Sequence, residues 1–316
     1  MRILVTGAAG HLGEALVRAL RSRGDEVVAL DVLDSPFVTH RGSIADRALV
    51  RRCMAGVDAV LHAATLHKPH VATHPKQAFV DVNVTGTLTL LEEAAAARVR
   101  AFVLTSTTSA FGRALSPPAG APAAWIDEDV RPVPKNVYGA TKVAAEDLGE
   151  LVHRDSGLPV VVLRVSRFFP ESDDDPERAS GYDGTNLKLV EFLYRRVDIE
   201  DVVDAHRCAL ERAAAVGFAR YVISATTPFE REDVAALGID APAVLRRRVP
   251  EHEAEFARRG WRMLPTLDRV YVNARAQREL GWQPRHDFRS VLARLRASGE
   301  FWSPLAQAVG AKGYHR

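Results

Sequence analysis

The sequence predicts an α/β fold: a doubly wound parallel sheet with a smaller C-terminal cap. Three observations carry this. Apolar runs of strand length alternate with amphipathic helical segments over the first half; the first run leads straight into glycines at positions 7, 10 and 13; and the alternation gives way after Val165 to a stretch rich in acid, proline and glycine. ILVT (3–6), EVVAL (26–30), DAVLHA (58–63), AFVLTS (101–106) and PVVVLRV (159–165) are near-continuous apolar runs, the pattern of strands buried on both faces.

The first strand and its turn, MRILVTGAAGHLG, read as a dinucleotide site. Gly7 permits a backbone conformation that a Cβ opposes, Gly10 lets the main chain approach a pyrophosphate, and Gly13 lets the next helix pack on the strand. The helix start then offers free N–H groups and a positive dipole end to phosphate. The second strand delivers Asp31, eighteen residues beyond Gly13, where a carboxylate accepts from both ribose hydroxyls and repels a 2′-phosphate. No Arg or Lys follows in VLDSP, so the expected cofactor is NAD rather than NADP.

Helical patterns flank the fourth strand on both sides, over roughly 75–97 and 136–155, long enough to cover the sheet and leave faces for a second copy of the chain. A homodimer through these helices is expected. After Val165, SRFFPESDDDPERASGYDG reads as loop. RRVDIEDVVDAHRCALERA and RYVISA then restore a helix and a strand, so 195–224 is expected to rejoin the sheet of a 1–165 NAD-binding domain. The remainder of 166–316 forms mainly a substrate-binding cap, with Trp261, Trp282 and Trp302 available for its core.

Composition narrows the function classes. Of 316 residues, 47% are hydrophobic, which suits a well-buried core, and the net charge of +2 comes without a basic, aromatic-interleaved stripe, which argues against nucleic acid. Only six of the 42 basic residues are Lys. Cys53 and Cys208 stand far apart without metal-ligand spacing and read as packing residues. No apolar stretch is long enough to span a membrane, and the chain opens directly on a core strand, so a cytoplasmic protein without a membrane partner is expected.

The chemistry centres on NVYGATK, where Tyr138 and Lys142 share one helical face. The strand before that helix ends in LTSTTSAFG, bringing Ser106, Thr107, Thr108 and Ser109 to the sheet's carboxyl edge. A phenol near pKa 10 is a poor base at neutral pH, and a nearby ammonium together with the nicotinamide cation favours its phenolate. In this reading Tyr138 exchanges a proton with a substrate oxygen that Thr107 also hydrogen-bonds, while Lys142 holds the nicotinamide ribose. His67, His70 and His74 have irregular spacing, prolines among them and no acidic companion, and read as a polar rim rather than a metal site.

These residues resemble the extended short-chain dehydrogenase/reductase superfamily, in its NAD-dependent epimerase/dehydratase branch. The likeness runs through TGAAGHLG, Asp31, HAAT (62–65), NVTGT (83–87), YGATK, VDIEDVVDA and RELGWQP (278–284). It implies a Rossmann-type sheet and a Thr107–Tyr138–Lys142 triad. It further implies backbone contact to the pyrophosphate from Ala8, Ala9, Gly10, His11 and Leu12, and a cofactor wall at Ala63, Ala64 and Thr65.

The departures bear on the reaction. Sugar 4,6-dehydratases of the family carry Asp and Glu after the catalytic Thr, whereas Thr108 and Ser109 here cannot work as a carboxylate acid–base pair. Nucleotide-sugar epimerases have an amide after the fifth strand and a long nucleotide-gripping insertion. Here Arg167 stands in the segment RFFP, the stretch to Asp198 is short, and Arg195 and Arg196 lie beside the next motif. A guanidinium suits a bidentate carboxylate or phosphate contact, so Thr108, Ser109, Arg167 and Arg195 are expected to face a compact oxygenated anion such as a sugar acid. Arg167 pairing instead with Asp173–Asp175 is the alternative. The leading expectation is an NAD-dependent oxidoreductase acting on a carbinol carbon of a sugar or sugar acid. An epimerase with an internal redox cycle, and a non-catalytic NAD-binding sensor on the same fold, are the competing readings.

Overall fold

In the computed structural model, which describes residues 1–118, 120–171 and 181–313, seven parallel strands form one sheet. They are β1 (Arg2–Thr6), β2 (Glu26–Asp31), β3 (His40–Arg41), β4 (Ala59–His62), β5 (Ala101–Thr107), β7 (Val160–Val165) and β8 (Phe218–Ile223), in the order β3-β2-β1-β4-β5-β7-β8. The chain leaves β1 toward β2 on one side and returns to β4 on the other, so the order reverses between β1 and β4, where such sheets take their ligands.

Alternation along the strands builds two cores. Ile3 and Val5 face one side of the sheet with Val161 and Leu163, under α1 (His11–Ser22) and α7 (Ile199–Val216). Leu4 faces the other with Val160 and Val162, under α2 (Arg47–Cys53), α4 (Thr87–Ala96) and α5 (Val137–Ser156). Both faces are buried, the physical reason the central strands β1, β4, β5 and β7 are apolar at most positions.

The predicted helix over 75–97 is realised in three parts: α3 (Lys76–Phe79), a π-helical turn at Val80–Gly86, and α4. Short π-helical insertions recur at functional sites because they re-aim side chains without breaking the helix; this one holds Asn83.

A third core lies over the carboxyl end of the sheet. It gathers α6 (Gly184–Glu191), α8 (Val234–Leu237), α9 (Ala241–Arg248), α10 (His252–Arg259) and α12 (Phe288–Ser298), with Trp261 and Trp302 packed against it. Trp282 departs from expectation. It is fully buried in the sheet's core beside Val202, Ala205 and Leu280, and its indole donates to the carbonyl of Asp201 at 3.0 Å. The cause is the short helix α11 (Ala274–Leu280), which packs back on α7 and β8 and carries the following Trp with it. Helix α13 (Pro304–Val309) likewise returns to α1. A small parallel pair, β6 (Ala124–Ile126) with β9 (Arg269–Tyr271), completes the fold. Among the described residues no helix is long and apolar enough to cross a membrane.

Candidate active site

The turn after β1 is set by two glycines. Gly7 has φ +72°, and a Cβ on Gly13 would stand 1.9 Å from the Gly7 carbonyl oxygen, so the start of α1 lies directly on the turn. No side chain caps α1, which leaves its first amides directed at the space above. Beside them opens a cavity of about 540 Å³ lined by Gly7, Gly10, Asp31, Ala63, Thr107 and Tyr138 among others. A Cβ on Gly10 would meet only the Gly7 carbonyl oxygen, at 3.3 Å, so the cradle there is shaped for a ligand rather than for the protein's own packing.

At the far end Asp31 is held by two backbone amides: Oδ2 accepts from Ala9 at 2.9 Å and Oδ1 from Leu33 at 2.9 Å. Its carboxylate is thus fixed at the mouth of β2, facing the cavity. These features fit a dinucleotide: uncapped amides and a glycine cradle for the pyrophosphate, and an oriented acceptor for a ribose. His11, Leu12, Gly13, Ala64 and Thr65 also line the cavity, whereas Ala8 and Ala9 are buried behind it.

Helix α5 begins where the Asn136 side chain accepts from the Gly139 amide at 3.0 Å. A Cβ at Gly139 would lie 2.9 Å from the Ser109 carbonyl oxygen, so this helix start is seated on the turn that follows β5. That seating brings the Tyr138 phenol beside Thr107, near enough for Thr107 to act on its ionisation. Thr107 ends β5 and accepts from the Ser109 amide at 3.1 Å. Thr107, Thr108, Ser109 and Tyr138 all line the cavity, and Lys142 is buried one helical turn deeper.

Burial dominates the electrostatics of this group. It pushes the Tyr138 phenol up to about 12, against a lowering by the neighbouring Thr107. It pushes Lys142 down to about 8, against the opposing pull of Glu146. His62 lies in a chain from Thr6 (2.7 Å) to Thr87 (2.9 Å), and burial followed by repulsion from Lys142 holds it well below the usual imidazole range. The ammonium-driven lowering of Tyr138 expected from sequence does not appear: burial and Thr107 are the causes of its shift, and burial is the larger.

Several residues of the site escape local sequence reading. Asn83, on the π-turn, accepts from Thr65 Oγ1 and the Leu66 amide, both at 2.9 Å, and donates to the Thr141 hydroxyl at 3.1 Å, clamping the loop after β4 to α5. Its presence within the NVTGT stretch was the available signal. Arg269 and Tyr271 reach the cavity from β9, some 130 residues beyond the triad, with no local signal at all.

Arg167 and Arg195 both line the cavity, and their segments run side by side, the Arg167 amide donating to the Arg195 carbonyl at 3.1 Å. The buried Glu191 carboxylate lies 2.6 Å from Arg195, 2.6 Å from Arg196 and 3.9 Å from Arg167. The Asp173–Asp175 run, the alternative partner for Arg167, lies outside the described residues. His67, His70 and His74 line the same cavity with Lys68, and His67 stacks on Phe169 at 5.8 Å. No group of three or more metal-ligating side chains occurs among the described residues.

Comparison with known proteins agrees with this geometry. The model of the NAD dependent epimerase/dehydratase family matches residues 3–224. A dTDP-glucose 4,6-dehydratase of Streptomyces antibioticus is 31% identical, over 96% of this chain and 95% of its own length. A 2-alkyl-3-oxoalkanoate reductase of Stenotrophomonas maltophilia is 30% identical, over 94% and 99%. The crystal structure of the UDP-glucose 4-epimerase of Thermus thermophilus in complex with NAD superposes with a TM-score of 0.62 at 25% identity, covering 94% of this chain and all of that one. The chain therefore belongs to the NAD-dependent epimerase/dehydratase family, and is an NAD-using enzyme of the extended short-chain dehydrogenase/reductase type.

Proposed function

We propose that the protein moves hydride between NAD and a carbinol carbon of a sugar or sugar acid, with Thr107, Tyr138 and Lys142 as the catalytic group. The supporting observation is that the Tyr138 phenol and Thr107 open on the same cavity as the Gly7–Gly13 turn and Asp31. NAD, when bound, supplies a ring carbon that accepts or returns hydride, and a cationic ring. In the oxidising direction Tyr138 must act as the phenolate, which the cationic ring and the Lys142 ammonium would favour: it would take the carbinol O–H proton as the carbon gives up hydride and a carbonyl forms, while Thr107 hydrogen-bonds the same oxygen and Lys142 holds the nicotinamide ribose.

Dehydration is disfavoured because Thr108 and Ser109, on the cavity wall, carry no carboxyl group to remove or return a proton. Arg167 and Arg195 are assigned to an anionic group of the substrate; both are fork-shaped donors. The sheet layer, 1–165 with 195–224, holds the cofactor in this reading, the cap covers the substrate, and a second copy packs across α4 and α5. An internal redox cycle is the second reading, favoured by the likeness to a UDP-glucose 4-epimerase.

The deciding experiment mixes protein and NAD with a panel of free uronic acids, aldoses and nucleotide sugars and follows NADH. NADH with the free acids alone supports a sugar-acid dehydrogenase. Isomer interconversion of a nucleotide sugar without net NADH selects the epimerase. Neither reaction with any member overturns the proposal and leaves a cofactor-binding sensor.

A further inference from the structure

Four residues after Lys142, the helix places Glu146, whose side chain is wholly buried. Its carboxylate is tied to three strands at once. Ser106 of β5 donates to Oε1, Arg164 of β7 donates to Oε2 through Nη2 at 2.7 Å and Nε at 3.1 Å, and Arg220 of β8 donates to Oε2 at 3.2 Å. Ser106 immediately precedes Thr107, and the Arg164 guanidinium lies 4.9 Å over the ring of Phe111, at the end of the turn that follows Thr107. A buried carboxylate satisfied this fully is fixed in place, and its neighbour one turn along the same helix face is the buried ammonium of Lys142.

We infer that Glu146 is a positioning residue of the site: it pins α5 to the strand that carries Thr107, and its charge keeps Lys142 an ammonium while Arg164 sets how strongly that charge is felt. The inference rests on the role proposed for Lys142. The charged and titratable groups around Lys142 are Tyr138 and Glu146 on its own helix and His62 from β4, with Arg164 and Arg220 behind Glu146. Ser106, which donates to Glu146, and Asn83 of the π-turn, which donates to Thr141 beside Lys142, are neutral groups. Of these neighbours Glu146 is the one that favours the charged amine, and its pull opposes the burial that brings Lys142 down to about 8.

The chain's six lysines make the test direct. Protein labelled with carbon-13 at the lysine ε position is titrated without cofactor or substrate, and Lys142→Met identifies the Lys142 signal. In Glu146→Gln the Lys142 midpoint is expected to fall by about one pH unit or more, and in Glu146→Asp to stay near the wild-type value. In Arg164→Met, where Glu146 keeps Arg220 as a partner, the midpoint is expected to rise. Both Glu146→Gln and Arg164→Met break the same buried pair, so a merely structural role moves Lys142 the same way in each, or not at all, and either result overturns the inference. Should Glu146→Gln fail to fold, the direction of the shift in Arg164→Met decides alone. Because no turnover is involved, this outcome is separable from that of the substrate panel.

Discussion

The Asp31 carboxylate accepts the amide of Ala9 at 2.9 Å, joining the end of β2 to the glycine turn after β1. The backbone turn proposed to cradle the pyrophosphate therefore also aims the carboxylate proposed to meet the adenosine ribose. Arg41 stands opposite Asp31 in the β2–β3 register, a cation that no local reading of VLDSP reveals. Asp31→Ser is expected to weaken NADH binding about 10- to 100-fold, the scale of lost hydrogen bonds to a charged group, and to narrow or reverse the preference over NADPH. Fluorescence titration with both nucleotides checks this; an unchanged preference would remove Asp31 from the discrimination.

Tyr138→Phe deletes the proton-carrying oxygen and leaves the ring that packs against the cavity wall. Turnover is expected to fall about 100- to 10,000-fold with NADH affinity held within a small factor. Full activity in this variant would sink the acid–base mechanism.

With Lys142 at about 8, the role proposed for its ammonium at the ribose predicts that cofactor binding is coupled to protons. If the ammonium holds the ribose, binding at pH 9 must take up a proton that is already present at pH 6.5. Calorimetry in buffers of differing ionisation heat is expected to show buffer-dependent enthalpy at pH 9 and little at pH 6.5.

Arg167→Ala is expected to raise KM for an anionic substrate at least about tenfold, as loss of a charge-assisted contact does, with a smaller effect on kcat. A matched aldose lacking the acid group should show no such change in KM. Equal effects on both substrates would indicate that Arg167 serves the packing of its loop.

Glu171 pairs with His11 at the head of α1 at 2.9 Å and accepts the amides of Lys312 and Gly313, both at 3.1 Å. Although burial opposes it, the His11 pairing and these amides hold the carboxyl at about 2, below its ordinary 4.5. A carboxyl with a depressed folded-state pKa stabilises fully above 4.5, and that stability is lost as pH falls toward 2. The contribution is at most about 3 kcal/mol. Glu171→Gln is expected to lower the melting temperature at pH 7 and to flatten its decline between pH 4.5 and 2.

Much of the fold and the centre of the site is legible in the chain because it is locally encoded. The strands with two buried faces must be apolar throughout, the turn after β1 must have Gly7 and Gly13, and Tyr138 and Lys142 share a helix face at fixed spacing. Strands β3, β6 and β9 are two or three residues long and carry no pattern of their own; they exist because neighbouring backbone is there to pair with. The π-turn that aims Asn83, the return of Trp282 to the sheet core, and the arrival of Arg269 and Tyr271 at the cavity were decided by packing between distant segments. So was the ionisation of the site. Residue type and short-range spacing mark Thr107, Tyr138 and Lys142 as the candidates for the chemistry; how deeply Tyr138 and Lys142 are buried, and that Glu146 and Arg164 stand behind them, follows from folding, because desolvation and charge pairing depend on neighbours that the chain brings together only then.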